Sequence, residues 1–404
     1  MTTLPGWNFE KFAEGIRAAG MAEPPVSGVI PGPVHGTDRM ITNLASVNFL
    51  DLQRREDVMK VLLDATQQYG LATGGSRILQ GVMPPHIDME RTIADYLQKE
   101  SAISFATGTL ANIGFMSAMA GTQSLMKGLS MVNRDVVFVF DRDAHWSLWK
   151  SAENLKFGER LFAFEHNSVE SLEAILKKLR GKRVVVVFES VYSIDGVVAP
   201  MHEIVDVCEK YGALSYVDDA NGFMVYGPPH RKFHQEYQGL LRSTFIMVSL
   251  KKAVGLEGGL IAGPKDAITS FELLSGASAF TAGVLAPAAA GTAYISRLLA
   301  YEEPEIVDNY LAKVADFRKR LLDEDLPITD TETCFTSLVV GDEHKCLQLF
   351  GAYLEHDIRV PPYVYPAARR AQAVLRIIIN ASHTEEQLDH FIEVSKKLRD
   401  KKLF

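Results

Sequence analysis

Helical and strand-like patterns of hydrophobic residues alternate along most of the chain from about residue 57 onward. Apolar residues recur at helical spacing over Asp57 to Gln68, Ile87 to Gln98 and Leu110 to Ala120. The same spacing returns over Glu302 to Leu322 and Thr384 to Lys402 near the end of the chain. The pattern therefore predicts a helix over each of these five stretches.

A second pattern consists of short apolar runs rich in Val, Ile and Phe. The runs are Ala102 to Phe105, Asp135 to Phe140, Arg183 to Phe188, Leu214 to Val217, Phe245 to Leu250 and Gly259 to Ala262. Runs that are apolar throughout are typical of parallel strands that helices cover on both faces. The sequence thus predicts the α/β fold class with a mostly parallel sheet, in which ligands bind outside the carboxyl ends of the strands.

The two ends of the chain differ from this alternating part. Trp7 to Ala22 has the pattern of a short amphipathic helix, and Glu23 to Gly36, with four prolines and three glycines, indicates an extended arm. We expect this helix and arm to occupy residues 1–50, a large domain residues 51–295, and a small C-terminal domain residues 296–404. The predicted helix at 302–322 would lead from the large domain into the small one.

Composition narrows the class of protein. Hydrophobic residues make up 47% and charged residues 23% of the 404 residues, as in soluble globular proteins. The net charge of -8 disfavours nucleic acid as a partner, because a basic face is the usual footprint there. Three widely separated cysteines indicate neither a metal site nor a disulfide framework. Without a secretory signal pattern or an apolar run of about 18 residues, we expect a cytoplasmic protein with no transmembrane segment.

Two predicted strands run into residues that suit chemistry on a ring cofactor. Leu214 to Val217 precedes Asp218, whose carboxylate could keep a pyridine nitrogen protonated; the alternative is a helix cap or turn. Phe245 to Leu250 precedes Lys251-Lys252. A lysine at a buried strand end can form a Schiff base if its amine is partly deprotonated, and the like charge of Lys251 would lower the pKa of Lys252 if the two amines are close. The alternative is a pair of surface lysines.

Two further features follow other predicted strands. Thr107-Gly108-Thr109 stands at the start of a predicted helix, where the first N–H groups suit a phosphate; the alternative is an ordinary helix cap. His145 comes soon after the run that ends at Phe140 and could stack on an aromatic cofactor; the alternative is a structural histidine. None of the four features is specific when it is taken alone.

The order of these four features resembles the α-oxoamine synthase family of pyridoxal-phosphate (PLP) enzymes. This family includes serine palmitoyltransferase, 8-amino-7-oxononanoate synthase, glycine C-acetyltransferase and 5-aminolevulinate synthase. The matching stretches are Tyr69 to Arg77, Phe105 to Asn112, Glu189 to Gly196, Tyr211 to Gly227, Ser249 to Gly259, and Leu375 to Thr384. The resemblance, from about Asn48 to His383, implies PLP fold type I, with a seven-stranded sheet in the large domain and a small C-terminal α/β domain.

The resemblance also implies a role for each matching residue. The expected catalytic residues are Lys252, which would bind PLP covalently and move protons, Asp218, which would pair with the pyridine nitrogen, and His145, which would stack on the ring. The other expected contacts to the cofactor are Thr107, Gly108, Thr109, Ser193, Asn221, Ser249 and Thr281, the last of these reaching the phosphate from a partner subunit. Asn48 and Arg376 would hold the carboxylate of an amino-acid substrate.

The chain departs from the family pattern at three places. Asn221 stands where the family has a histidine that bonds the 3′-oxygen of the cofactor; its amide could donate this bond but carries no charge. Lys251 replaces a small residue, and the usual Pro-Pro is missing around Leu285-Ala286. The stretch His145-Trp146-Ser147-Leu148-Trp149, together with Ser249-Leu250, is similar to a branch of the family that makes α-aminoketone signals.

The resemblance implies a PLP-dependent decarboxylative condensation of an amino acid with an acyl-CoA or acyl-carrier-protein thioester, which gives an α-aminoketone. It also implies a homodimer whose subunits share active sites. The alternatives are an aminotransferase or a lyase of the same fold and, from another class, a non-catalytic subunit of a heteromeric synthase. The presence of both Lys252 and Asp218 counts against the non-catalytic subunit, because such a partner lacks the lysine.

Overall fold

The computed structural model describes residues 9–18, 32–33, 40–365, 367–401 and 403. The predicted N-terminal helix is present over its described part, as α1 (Phe9–Ala18). Its remaining residues, and the predicted arm apart from residues 32–33, lie outside the described residues. The other helices are α2 (Glu56–Tyr69), α3 (Arg77–Gln80), α4 (Pro84–Tyr96), α5 (Gly108–Ala120), α6 (Trp146–Ser151), α7 (Val169–Lys178), α8 (Met201–Tyr211), α9 (His234–Arg242), α10 (Lys265–Leu274), α11 (Gly276–Ala279), α12 (Ala286–Arg297), α13 (Glu305–Asp323), α14 (Glu343–Glu355) and α15 (Glu385–Asp400). All five helices predicted from apolar spacing are therefore confirmed, as α2, α4, α5, α13 and α15.

The strands form one large sheet and three small ones. They are β1 (Gly32–Pro33), β2 (Met40–Asn43), β3 (Ser101–Phe105), β4 (Thr122–Met126), β5 (Leu129–Val132), β6 (Val137–Asp141), β7 (Leu161–Phe164), β8 (Val184–Glu189), β9 (Leu214–Asp218), β10 (Phe245–Ser249), β11 (Gly259–Gly263), β12 (Thr336–Gly341), β13 (Ile358–Arg359), β14 (Pro362–Tyr363) and β15 (Ala373–Ile377). The large sheet has seven strands in the order β3-β11-β10-β9-β8-β6-β7. Its pairs are parallel except those of β11, which is antiparallel to β3 and β10. The mostly parallel sheet is confirmed.

The strands of the large sheet are mostly apolar because both of their faces are covered. Every residue of β6, β8, β10 and β11 is buried. Along β8 the side chains alternate, with Val186 and Phe188 in one core and Val185 and Val187 in the other. The edge strand β7 was not predicted, because its run of four apolar residues is short and two of them are only half-buried.

The C-terminal part of the chain has a smaller sheet of its own, in which β15 lies between β12 and β14. A separate small sheet joins two parts of the chain that are distant in sequence, because β2 pairs in parallel with β13 and antiparallel with β1. Strand β2 therefore packs with the C-terminal part, although it belongs to the stretch predicted as an arm at residues 1–50. Within the described residues, no helix has the length and apolar character needed to span a membrane.

Candidate active site

The carboxyl ends of β8, β9 and β10 open into a cleft of about 1230 Å³ between the large sheet and the C-terminal sheet. Of the residues proposed from sequence, the structure brings ten to its walls: Thr107, Gly108, Thr109, His145, Ser193, Asp218, Asn221, Ser249, Lys252 and Arg376. These residues come from six separate parts of the chain, and the parallel sheet aligns most of them at one edge. Asn48 and Thr281 are not among the described residues that line this cleft.

One wall of the cleft is the N-terminus of α5. The Thr107 hydroxyl caps the helix by accepting a hydrogen bond from the Leu110 N–H at 3.0 Å. Gly259 permits β11 to lie close to this turn, because a Cβ at position 259 would come within 2.5 Å of the Gly108 backbone. The first N–H groups of a helix have no partner within the helix, so those of Gly108 and Thr109 are oriented to bind a phosphate beside Ser249.

Asp218 ends β9 and is buried at the bottom of the cleft. Its Oδ2 atom accepts a hydrogen bond from Asn112 Nδ2 at 3.0 Å, and Asn112 Oδ1 in turn accepts one from the Tyr216 hydroxyl at 2.7 Å. Its Oδ1 atom accepts from the backbone N–H of Ala220 at 3.1 Å. These donors hold the carboxylate in a fixed orientation.

His145 lines the cleft at the start of α6. Its Nδ1 atom lies 2.7 Å from the Ser147 hydroxyl and accepts from the backbone N–H of Ser147 at 3.3 Å. Burial lowers the pKa of His145, the positive charges of Lys252 and Arg376 lower it further, and only Asp218 opposes them. The ring is therefore neutral at physiological pH, which suits stacking on a planar cofactor.

Lys252 follows β10 and donates a hydrogen bond from Nζ to Asn221 Oδ1 at 2.7 Å. Burial lowers the pKa of Lys252 to about 8, and the positive charge of Arg376 adds to the effect. Lys251, which was expected to lower this pKa if the two amines are close, is not among the groups whose charge shifts it, and its half-exposed amine forms an ion pair with Glu257 at 3.0 Å. A pKa of about 8 leaves part of the Lys252 amine neutral, as a nucleophile or base requires.

Arg376 lies on β15, in the wall of the cleft that the C-terminal part contributes. Its guanidinium lies 4.2 Å from the centre of the Tyr363 ring, and one Nη atom donates to the Ser193 carbonyl at 3.2 Å. Its Nε atom is buried without a hydrogen-bond partner among the described residues. A buried guanidinium with few protein partners is suited to bind a carboxylate ligand.

Asn48 and Thr281 have other surroundings in this single chain. The Asn48 carbonyl accepts a hydrogen bond from the Asn380 side chain, and its Oδ1 atom lies against Gly255. Thr281 donates from its hydroxyl to the Ala277 carbonyl at 2.6 Å. The role of Asn48 at a substrate carboxylate and that of Thr281 at a partner's cofactor remain predictions.

Two residues of the cleft were not singled out from the sequence. Asn112, which holds Asp218, is one helical turn after Gly108, and the signal was a polar residue inside an otherwise apolar helix. Glu189 ends β8 beside Asp218 and is buried, and burial together with the charge of Asp218 raises its pKa well above the ordinary value. The signal there was an acid at a strand end, as at Asp218.

With this geometry established, comparison with known proteins decides the family. The model of the family described as aminotransferase class I and II matches residues 39–394. The chain belongs to this family. It is 30% identical to a serine palmitoyltransferase of Bacteriovorax stolpii, with 88% of this chain and 83% of that protein covered. It is 29% identical to an 8-amino-7-oxononanoate synthase of Treponema denticola, with 89% and 88% covered.

The fold is confirmed as PLP fold type I. A solved structure, the serine palmitoyltransferase of Sphingomonas wittichii, superposes with a TM-score of 0.86 at 25% identity, and the match covers 100% of both chains. Because the relatives are α-oxoamine synthases, the resemblance recognised in the sequence is confirmed as well.

The cleft of this aminotransferase class I and II member fits PLP, on which the family depends. The N-terminus of α5 and Ser249 would bind the phosphate, and Lys252 would bind the aldehyde carbon. Asp218 would accept a hydrogen bond from a protonated pyridine nitrogen. The chain thus supplies a group of suitable chemistry for the phosphate, the aldehyde and the pyridine nitrogen of the cofactor, and these groups line a single cleft.

Proposed function

We propose that this protein catalyses the decarboxylative condensation of an amino acid with an acyl thioester, carried by coenzyme A or by an acyl carrier protein, to an α-aminoketone. The observation that supports this most is the convergence of Lys252, Asp218 and Arg376 on one cleft. The relatives named above are α-oxoamine synthases, and they agree with this chain over most of its length. The cleft is also larger than a cofactor alone requires, which leaves room for an acyl donor.

Bound PLP supplies an electron-withdrawing ring that accommodates negative charge from the Cα atom of the amino acid. The carboxylate of Asp218 would hold the proton on the ring nitrogen of the bound cofactor, and the imidazole of His145 would stack against the ring. Lys252 takes the Cα proton, which its amine can do because the pKa of about 8 leaves part of it neutral. These residues act through position and charge.

Arg376 binds the carboxylate of the amino acid and so orients the Cα–H bond toward Lys252. The new bond forms between Cα and the acyl carbon of the thioester as the carbon–sulfur bond breaks, and the thiolate takes up a proton from solvent. The carboxylate is then lost as carbon dioxide, and Cα takes back the proton that Lys252 holds. The side chains of Trp149, Ile194 and Tyr365 also line the cleft and provide apolar surface for the acyl group.

The proposed assembly is a homodimer in which Thr281 reaches the partner's phosphate site. An isolated bridge between Ser76 and Ala282 holds α3 next to the segment that carries Thr281. On this surface Leu79 is 77% exposed and Phe280 is 84% exposed. Exposed large apolar groups that lie close together are typical of an interface. We expect light scattering on the purified protein to give twice the mass of one chain, which is 44.7 kDa. The mass of a monomer would contradict the assembly.

We also propose that the protein acts in the cytoplasm. Its three cysteines, Cys208, Cys334 and Cys346, are free and buried. Free thiols suit a reducing compartment, where disulfides are rare. Fractionation of cells that express the protein would test this location.

The proposed reaction predicts a distinct set of products. We would incubate the PLP-loaded protein with single amino acids and acyl-CoA or acyl-carrier-protein donors of graded chain length, and measure free thiol and carbon dioxide. The expected result is equal release of thiol and carbon dioxide with one amino acid, and none with the Lys252→Ala variant. Conversion of the amino acid to a 2-oxo acid without thiol release would instead indicate an aminotransferase and overturn the proposal.

A further inference from the structure

The side chain of Asn221 is held between two fixed groups of the cleft. Its Oδ1 atom accepts a hydrogen bond from Lys252 Nζ at 2.7 Å, and its Nδ2 atom donates to the Val191 carbonyl at 2.8 Å. The residue is only 3% exposed. A backbone carbonyl can only accept, and a protonated amine can only donate, so this pair of contacts determines which end of the amide faces Lys252.

This orientation differs from the expectation drawn from the sequence, in which the amide donates to the 3′-oxygen of the cofactor. The donor end is occupied by Val191, and the acceptor end faces the amine of Lys252. To present its NH₂ group to a ligand in place of the oxygen, Asn221 would have to rotate and break both contacts. In the geometry of this cleft the amide therefore serves the lysine.

We propose that Asn221 is a positioning residue for Lys252, whose amine it holds with a neutral oxygen acceptor. The inference rests on the proposed function of Lys252 as the residue that binds the cofactor and moves the Cα proton. A neutral acceptor orients the amine without adding charge to it, whereas a carboxylate at the same place would favour the ammonium form. The amine of Lys252 thus has a defined orientation, and its pKa stays near physiological pH.

Other charged and titratable groups also act on the amine, so the contribution of Asn221 must be separated from theirs. They are Arg376, which favours the neutral amine, and Asp218, Glu189 and Cys334, which favour the ammonium form; His145 lies close enough to respond to the charge of Lys252. None of these groups is altered by a substitution at position 221. A change in titration that follows such a substitution therefore reports on the side chain at position 221.

The test compares Asn221→Asp and Asn221→Ala with the wild type, and Asn133→Ala serves as the matched control. Asn133 is also a buried amide that donates to a backbone carbonyl, that of Ala118 at 3.0 Å, but it lies outside the cleft. The first measurement is the pH titration of the visible absorbance of the PLP-loaded protein, which requires no acyl donor. The second is kcat and KM for the amino acid.

We expect Asn221→Asp to raise the midpoint of the absorbance titration by about one pH unit, because it adds negative charge beside the side-chain nitrogen of Lys252. Asn221→Ala should lower kcat about tenfold and change KM less than about twofold. The reason is that the amine loses its orientation, whereas the site that binds the substrate is unchanged. Asn133→Ala should match the wild type in both measurements. An unchanged midpoint in Asn221→Asp, or an unchanged kcat in Asn221→Ala, would overturn the inference.

The design separates failure of this inference from failure of the proposed function. If no acyl donor is accepted, the absorbance titration still reports on the contact between Asn221 and Lys252. If a variant does not retain the cofactor, competitive acetylation of Lys252 in the full chain, read by peptide mass spectrometry across pH, gives the same comparison. Equal acetylation profiles in the wild type and Asn221→Asp would contradict the inference by that route.

Discussion

Asp218 and Asp219 are adjacent in sequence and both buried, but they lie in different surroundings. Asp218 lines the cleft and accepts from Asn112. Asp219 is not among the described residues of the cleft, and its Oδ1 atom accepts from the hydroxyls of Ser190 at 2.5 Å and Tyr237 at 3.0 Å. Extended backbone points successive side chains in opposite directions, so one carboxylate is open to a ligand and the other is satisfied by the protein. The same chemical group thus serves the site in one case and the fold in the other.

The largest effect on the cleft side is expected for Lys252→Ala. We expect turnover to fall at least about a thousandfold, since the variant has lost both the cofactor attachment and the base. The PLP-loaded protein, treated with borohydride and digested, should carry label at Lys252 in the wild type and nowhere in the variant. Label on another lysine in the variant would show that Lys252 is not the attachment site.

The substitution Asp218→Asn, compared with Asp219→Asn, tests most directly whether the two carboxylates have different roles. A neutral amide cannot stabilise a protonated ring nitrogen, so kcat should fall roughly a hundredfold while PLP is still bound. Asp219→Asn should keep kcat near that of the wild type, because Asp219 does not reach the cleft. Steady-state kinetics of the two variants would measure this difference, and equal losses of kcat in both variants would contradict the different roles of Asp218 and Asp219.

Arg376→Lys tests the wall of the cleft that faces Asp218. The ammonium group cannot reproduce the two-pronged contact of a guanidinium with a carboxylate, so KM for the amino acid should rise about tenfold. The absorbance spectrum of bound PLP should stay as in the wild type. Amino-acid titrations that give equal apparent affinities in both proteins would leave the carboxylate site unassigned.

For the carboxylate that lies outside the cleft, we expect Asp219→Ala to reduce the stability of the fold more than the activity. The substitution leaves the buried hydroxyls of Ser190 and Tyr237 without their acceptor, at a cost of about 2 kcal/mol in the free energy of unfolding. Urea denaturation would measure the loss. Asp219→Asn keeps an oxygen acceptor and should lose less.

The pH dependence of this effect has a definite sign. Burial raises the pKa of Asp219 in the folded protein to about 7, against roughly 3.9 in an unfolded chain. The folded state therefore binds more protons between these values, and the stability that the protonated carboxyl contributes below about pH 4 is lost as pH rises toward 7. The side chain of Asp219→Asn does not titrate, so the free energy of unfolding of this variant should fall less steeply over this range when it is measured at several pH values. Parallel curves would show that Asp219 is ionised in the fold.

The smallest effect is expected for Lys251→Ala, which removes the neighbour of the essential lysine. The ion pair of Lys251 with Glu257 is exposed to solvent, and Lys251 is not among the groups whose charge shifts the pKa of Lys252. Both kcat and the absorbance midpoint should stay within about twofold of the wild type. A clear shift of the midpoint would restore the interpretation in which Lys251 tunes its neighbour.

Much of the fold could be predicted because the buried strands are apolar along their whole length. Strands such as β8 and β10 could be read from single runs of residues. The hairpin of β4 and β5 could not, because its side chains are mostly exposed and its mixed composition has no clear period. The pairing of β2 with β13 could not either, since two to four residues carry too little pattern to identify a partner far along the chain.

The cleft was predictable where a residue follows a strand, as Asp218 and Lys252 do. The orientation of Asn221 was not, because it depends on the Val191 carbonyl and the Lys252 amine, which come from other segments. The same holds for Asn112, whose partner Asp218 lies on a different element. Sequence thus indicated which chemical groups are present, but their hydrogen-bond partners follow only from the fold.

The pairing of β2 with β13 has a consequence for biosynthesis. Thr42 is translated long before Asp357, whose carbonyl accepts its N–H. Until Asp357 has emerged, β1 is the only described strand with which β2 can pair, whereas the large sheet, whose strands all lie between β2 and β13 in the sequence, can already form. A chain that is interrupted before Ile358 therefore cannot complete this sheet.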